Sequence, residues 1–311
     1  MALICRFVRW KVERNMKTVG ITGISGLIGR HLAKELHRRG TKVLGYSRSA
    51  RSLEVADEVR SFENPDFRGL DALIHLAGEP IMGRWTSAKK ERIRSSRVEG
   101  TRALVQAMAA LSEADRPRTF VCASAIGFYG ERGDEILTES SPPGSGFLAD
   151  VARRWEEEAR RAEAFGVRVV MGRTGVALAA EGGAAPLWKA IFGAGLGGKL
   201  GSGSQWVSWV EIGDLVAMLA ETLEWPDLRG PVNLVSPNPV RNEELTRVLG
   251  RVSQRPAILP APAFALRLML GGVAEMLLQS QRVEPAVFRS RGFAWKEPEL
   301  EGALKSVFFG G

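Results

Sequence analysis

The chain is poor in the residues from which most catalytic centres are built. Its 311 residues include two cysteines, two tyrosines and three histidines. Cys5 and Cys122 are too few for a disulfide framework, so a reducing, cytoplasmic setting is expected. His31, His37 and His75, with no CxxC pair beside them, leave no recognisable zinc site, and no metal is expected. A Ser-His-Asp triad would have to use one of these three. The first two fall on a helical pattern, and His75 sits in an apolar strand, where it reads as a packed core residue. Also missing are the GxxxxGK[ST] phosphate loop, the HExxH pair and the GxSxG elbow. No segment approaches the ~20 apolar residues of a membrane helix. The most apolar stretch, 256–278, is broken by Arg267 and Glu275. The net charge of +8 suits an anionic small molecule, and no basic run or RNA-binding signature accompanies it. Neither a nucleic-acid nor a membrane partner is expected.

Residues 1–15 hold Arg6, Arg9, Lys11 and Arg14 against Glu13 and lack the apolar core of a signal peptide. Met16 then opens MKTVGITG, which runs straight into a strand pattern. Met16 is therefore expected as the natural start. A short basic surface helix over the leader is the alternative.

From residue 17 to about 175, strand and helix patterns alternate. Thr18–Thr22, Lys42–Ser47, Ala72–Leu76, Thr119–Ser124 and Val167–Met171 read as strands. Leu27–Arg39, Ser87–Ala110 and Asp150–Phe165 read as helices, the first on apolar positions 27, 28, 32, 33 and 36. This alternation predicts an α/β fold, a doubly wound parallel sheet of Rossmann type over residues 16–175. Later segments are expected to return to it. Residues 176–311 are expected to form a smaller, mixed and largely helical substrate-side region. It opens on a glycine-rich stretch from Glu181 to Gln205, of the kind that forms functional surface loops. A helix over about Asp214–Glu224, with Asp214 at its N-cap, precedes a strand at Val232–Val235. Asn242 is then expected to cap a helix over Glu243–Val252.

Val19–Gly29 reads VGITGISGLIG, with glycines 23, 26 and 29 between a strand and a helix. Glycine lets backbone approach a pyrophosphate without an intervening Cβ, and the helix start presents unpaired N–H groups and a partial positive charge. Gly23, Ser25, Gly26, Leu27, Ile28 and Gly29 are thus candidate dinucleotide contacts. The second strand ends in Tyr46-Ser47-Arg48. NAD-preferring sites place an acid there to hold the ribose 2′-hydroxyl. Here Arg48 is suited to a 2′-phosphate, with Ser47 as a donor, and the cofactor expected is NADP(H).

Several further segments carry a resemblance. They are Leu76-Ala77-Gly78-Glu79-Pro80, Arg84-Trp85-Thr86, Ser96-Arg97-Val98-Glu99-Gly100-Thr101, Ser124 to Gly130 (SAIGFYG), Arg173-Thr174-Gly175-Val176 and Gly201 to Trp209 (GSGSQWVSW). With PAPAFALRLMLG, LLQSQRVEP and RGFAWKEPELEGAL near the end, the chain resembles the atypical extended short-chain dehydrogenase/reductases. These are labelled epimerase-family, or nucleoside-diphosphate-sugar-epimerase-like, proteins. The resemblance runs from about residue 16 to the end and includes a C-terminal extension over about 255–308. It implies that Gly23 to Gly29 cradle the pyrophosphate and that Ser47 and Arg48 hold the 2′-phosphate. It also implies that Leu76 and Ala77 flank the adenosine side, that Gly78 and Arg97 reach the cofactor, and that Val176 lies near the nicotinamide. A homodimer is possible by analogy with short-chain relatives.

Catalysis is a separate matter. Short-chain dehydrogenases exchange a proton through Tyr-x-x-x-Lys, with an upstream serine orienting the carbonyl. At the corresponding place this chain has Phe147 and Val151. Ser124 and Tyr129 remain as catalytic candidates. Arg84, Trp85, Gln205 and Trp209 are candidates for lining a substrate pocket, the tryptophans and arginine suiting an aromatic or anionic ligand. Two readings stand: an NADP(H)-dependent oxidoreductase or epimerase-like enzyme with an altered acid/base set, acting on an unidentified small molecule, or a non-catalytic NADP(H)-binding regulator or scaffold.

Overall fold

The computed structural model describes residues 16–48 and 53–310. The basic leader lies outside them. Seven strands form the central sheet: β1 Thr18–Thr22, β2 Lys42–Ser47, β3 Glu58–Ser61, β4 Ala72–His75, β5 Thr119–Ala125, β6 Arg168–Thr174 and β7 Gly230–Leu234. All pairings are parallel, in the spatial order β3-β2-β1-β4-β5-β6-β7. The order reverses at β1. A crevice beyond the carboxyl ends of β1 and β4 is where such sheets receive ligands.

Both faces of the sheet are covered, so its inner strands are apolar throughout rather than alternating. Helix α1, Leu27–Arg38, and the helix Ile212–Glu224 lie on one face, where Leu32, Leu36, Leu215 and Leu219 meet Val19, Ile21 and Ile74. Helices α2, Ser87–Ala109, and α3, Phe147–Arg160, lie on the other. There Leu104, Val105 and Trp155 pack on Leu44, Leu73 and Phe120. A third cluster sits to one side. Val176–Ala179 pairs in parallel with Trp209–Glu211, and Leu178 and Trp209 pack among Leu245, Leu249, Leu304 and Phe308.

Most elements fall within a residue or two of their expected bounds, and the exceptions have identifiable causes. β3 was not expected, because Glu-Val-Arg-Ser has no apolar period. It is an edge strand, held in register by Leu44 opposite Glu58. Helix α3 starts earlier than expected, at Phe147 behind Gly146, and ends in a 3₁₀ turn over Arg161–Phe165. Two expected caps are corrected. Glu211, not Asp214, caps the helix Ile212–Glu224, accepting from the amides of Gly213 at 2.7 Å and Asp214 at 3.1 Å. The Asp214 carboxylate instead takes the amides of Lys296 and Glu297, tying the C-terminal extension to the sheet domain. Asn242 is already helical, and its side chain accepts from the Leu200 amide.

Candidate functional site

The turn from Gly23 to Gly29 is built by close approach. Gly23 has φ +71, and a Cβ there would lie 2.7 Å from the Ala77 amide nitrogen and 2.8 Å from the Leu76 carbonyl carbon. The ends of β1 and β4 thus touch backbone to backbone. At Gly29 a Cβ would fall 2.4 Å from the Gly23 oxygen, so this glycine sets how tightly α1 packs on the turn. At Gly26 the same test meets only the Gly23 oxygen, at 3.1 Å, and the outer side is open. Gly26 is the N-cap of α1. No side chain caps this helix and no acid stands in its first turn. Its leading N–H groups are free to meet an anion, with Ser25 and Gly26 exposed and Leu27 and Ile28 half-buried around them. Leu27 also packs against Gly182, so the turn after Val176–Ala179 leans on the glycine loop, and His31 reaches Glu181 at 3.2 Å across the same seam.

The flanks match the expectations in position. Ser47 is half-buried and Arg48 exposed at the end of β2, beside Thr22 and Gly23. Leu76 and Ala77 are half-buried, Gly78 is exposed, and Val176 is half-buried at the foot of its strand. Arg97 lies behind Gly78, its Cζ 3.4 Å from where a Cβ of Gly78 would be. The guanidinium donates to the carbonyls of Glu79 and Ile93 and stands 5.2 Å over the Trp155 ring. No carboxylate pairs with it among the described residues. Burial pulls its pKa down to about 10, against the opposing pull of Glu79. His75 is fully buried beneath. Its Nδ1 is 2.6 Å from Thr22 Oγ1, its Nε2 has no partner, and burial, with Arg97 adding to it, holds its pKa at about 3.

The two catalytic candidates lie elsewhere, in a closed network at the ends of β5 and β6. Ser124 donates to Glu156 Oε1 at 2.7 Å. Arg173 clamps both oxygens of Glu156, at 2.8 and 2.9 Å, and also donates to the Tyr129 hydroxyl at 2.9 Å. That hydroxyl is 2.7 Å from Asn233 Oδ1 and 3.0 Å from the Thr138 carbonyl. The Arg173 guanidinium lies 3.6 Å over the Phe128 ring. Tyr129 is wholly buried, and burial pushes its phenol up to about 12. Ser124 is buried as well, with its single proton committed to Glu156. Neither of these catalytic candidates presents a free donor.

The pocket candidates also divide. Trp209 is a core residue, 1% exposed, whose indole donates to the Asn238 carbonyl. The Gln205 side chain is buried and donates to the carbonyls of Leu200 and Leu277. Both are corrected from pocket walls to struts. Arg84 is exposed. Trp85 is half-buried, donates to the Ile81 carbonyl and meets the Phe147 ring and Gly272. Phe147 and Val151 stand at the start of α3, Phe147 half-buried against Trp85 and Val151 in the core. Sequence reasoning missed Glu156 and Asn233, and it read Arg173 only as part of a motif. It also missed Trp206, whose ring lies between Arg241 and Arg282, at 4.7 and 4.6 Å, and whose indole donates to Asp134.

A parallel sheet that reverses order at a glycine turn, with an uncapped helix beyond it, defines a dinucleotide-binding protein. More narrowly, the chain belongs to the NAD dependent epimerase/dehydratase family, whose model matches residues 19–235. A domain of unknown function, DUF1731, matches residues 261–307, within the expected C-terminal extension. An epimerase family protein from Arabidopsis thaliana, a chloroplastic homologue of SDR39U1, is 35% identical over 95% of this chain and 88% of its own length. The epimerase family protein YfhF of Bacillus subtilis is 34% identical over 93% of this chain and 97% of its own. The crystal structure of human epimerase family protein SDR39U1 with NADPH superposes with a TM-score of 0.84 at 30% identity, covering 94% of this chain and 99% of that one. The family expected from the motifs is the family found.

Proposed function

We propose that this chain binds NADP(H) at the Gly23–Gly29 turn and serves as an oxidoreductase or epimerase-like enzyme on a small molecule. The observation that carries the reading is the combination of an open, uncapped helix start with an arginine at the end of β2. Ser25, Leu27 and Ile28 offer N–H groups to the pyrophosphate, and Gly26, whose own N–H is taken by the Gly23 carbonyl at 2.9 Å, keeps the approach open. Ser47 and Arg48 hold the 2′-phosphate, at a strand end whose sequence, Tyr46-Ser47-Arg48, has no acid to favour a free 2′-hydroxyl. Leu76, Ala77 and Gly78 line the crevice at the end of β4, and Val176 marks its far end. Support comes from the relative solved with NADPH at 30% identity. The chemistry a nicotinamide supplies is hydride transfer. The protein's own contribution is to shape the crevice and to hold Arg97 behind it as an unpaired charge.

The proton donor is not the usual pair, since Phe147 and Val151 occupy those places. Ser124 and Tyr129 are joined to Glu156 and Arg173, so any part they play in turnover requires that network to open. This closure favours a second reading, a non-catalytic NADP(H)-binding regulator. Calorimetry with NADPH and NADH tests the binding. Tight NADPH and weak NADH binding is expected, and no binding of either refutes both readings. A carbonyl-compound screen followed at the reduced-nicotinamide absorbance then separates them. Turnover supports the enzyme, and silence with NADPH bound supports the regulator.

A further inference from the structure

Five of the eleven exposed large apolar side chains among the described residues fall in one short segment, from Ile258 to Met269. Ile258 is 76% exposed, Phe264 72%, Leu268 85% and Met269 78%. The last three stand on the helix Ala263–Leu270, with Phe264 and Leu268 four residues apart and so on one face. Leu266 alone of that helix is buried. The segment before the helix is pinned to the glycine-rich loop by backbone bonds, Leu259 to Gly197, Ala261 to Lys199 and Gly201 to Ala261. The ridge is therefore a fixed part of the fold. Soluble surfaces seldom carry a contiguous group of this size without an occupant.

Charge identifies the occupant. Beside Ile258 lies a shallow depression of about 580 Å³ bordered by Lys199, Arg247, Arg251 and Arg255, with Glu243 as the one acid among its lining residues. Arg247 pairs with Glu244 and Arg251 with Glu301. Lys199 and Arg255, and Arg267 on the ridge helix itself, have no carboxylate partner among the described residues. An apolar ridge rimmed by unpaired cations fits a surface that offers hydrocarbon behind a layer of negative charge. We propose that this edge docks on an anionic lipid bilayer, with Phe264, Leu268 and Met269 entering the acyl boundary and Lys199, Arg255 and Arg267 meeting lipid phosphates.

Shape and charge both favour a bilayer over a protein. The apolar side chains protrude, at more than seven-tenths exposure, instead of lining a groove into which a partner's side chain would fit. In a contact between two copies, like cationic rims would face each other on chains that each carry +8. The helix has eight residues, which at ~1.5 Å each is far too short to span a bilayer. Among the described residues no helix is long and apolar enough to cross a membrane. Docking on the surface needs no such helix. The proposal departs from the sequence expectation of no membrane partner. Gly272, just after the ridge helix, packs on Trp85. The ridge thus adjoins the loop that leaves β4 toward the proposed cofactor crevice.

The test is flotation of the full chain with vesicles of phosphatidylcholine alone or mixed equally with phosphatidylglycerol. The wild type is expected to bind the anionic vesicles at least about tenfold more strongly, and to be released by high salt. The double variant Leu268→Ser/Met269→Ser and, separately, Lys199→Glu/Arg255→Glu are each expected to lose this binding. Both should keep the wild-type unfolding temperature, which shows that the fold is intact. Equal or absent partition of the wild type to the two vesicles overturns the proposal. So does a concentration-dependent dimer that the serine variant abolishes in the absence of lipid, since the ridge is then a contact between copies.

Discussion

The turn at the ends of β1 and β4 and the network at the ends of β5 and β6 lie on the same edge of one sheet but are built in opposite ways. The first is made by removing side chains. Three glycines and an uncapped helix leave backbone N–H groups facing outward, and what they lack must come from a ligand. The second is made by adding side chains until each satisfies another. Ser124, Glu156, Arg173, Tyr129 and Asn233 close on themselves, with Phe128 as a lid over the guanidinium. A polar site that still needs a partner can bind. One whose groups are already paired holds the fold, and does chemistry only if something breaks it open.

Glu156→Gln strikes hardest at that distinction. It leaves the Arg173 guanidinium buried without its counter-charge. A loss of about 3–5 kcal/mol is expected in denaturant unfolding, with NADPH affinity of the folded fraction unchanged. If the variant unfolds normally but loses NADPH, the network belongs to the binding site and the contrast fails. Tyr129→Phe is expected to cost about 1–3 kcal/mol, by leaving the buried Asn233 Oδ1 without its donor, while Arg173 keeps Glu156 and the Glu139 carbonyl. Any turnover found for the wild type should survive it, and selective loss of turnover with stability intact would make Tyr129 a reacting group.

His75 sits between the two regions. Its folded pKa of about 3 lies below the ordinary value of 6.5. Between those two pH values the unfolded chain takes up a proton that the folded chain refuses, so stability falls as pH falls. The slope from this group is up to ~1.4 kcal/mol per pH unit, and above 6.5 it contributes none. His75→Asn should flatten the unfolding free energy across that window. An unchanged slope would show that the histidine is protonated in place. The smallest expected effect is at the open region's rim. Arg48→Ala should weaken NADPH by about tenfold and leave NADH unaffected, the loss of one charge-assisted contact. Equal losses for the two cofactors would remove Arg48 from the 2′-phosphate.

The open region was legible in the sequence because its function is carried by backbone. Glycine spacing, the strand before it and the helix after it are local, and Arg48 is only one strand further on. The closed network was not legible, because its members come from β5, the turn after it, α3, β6 and β7, and no local period joins them. Ser124 and Tyr129 looked like reactive groups because the residues that occupy them, Glu156, Arg173 and Asn233, are distant in the chain. Trp209 and Gln205 misled in the same way. Tryptophan and glutamine in a glycine-rich stretch suggest a pocket, and only the packing of Leu245 and Leu304 around Trp209 and the Leu200 and Leu277 carbonyls that take the Gln205 amide show struts. Asp214 lost the cap to Glu211 because the chain returns at Lys296 to claim its carboxylate, a contact that no window around residue 214 contains.

The sheet order has a consequence for how the molecule is made. β6 has β5 on one side, but its other neighbour, β7, is synthesised only after Val176–Ala179, Trp209–Glu211 and the helix between Ile212 and Glu224. Until then a nascent chain that has already assembled β1 through β6 carries Arg168–Thr174 as an uncovered edge, rich in valine and unpaired along one side. Such an edge recruits other strands readily. Arg168, at the head of that strand, is later satisfied by the carbonyls of Thr222, Leu223 and Leu228. Those carbonyls lie on the same late stretch of chain, so the strand edge and the arginine at its head are completed together.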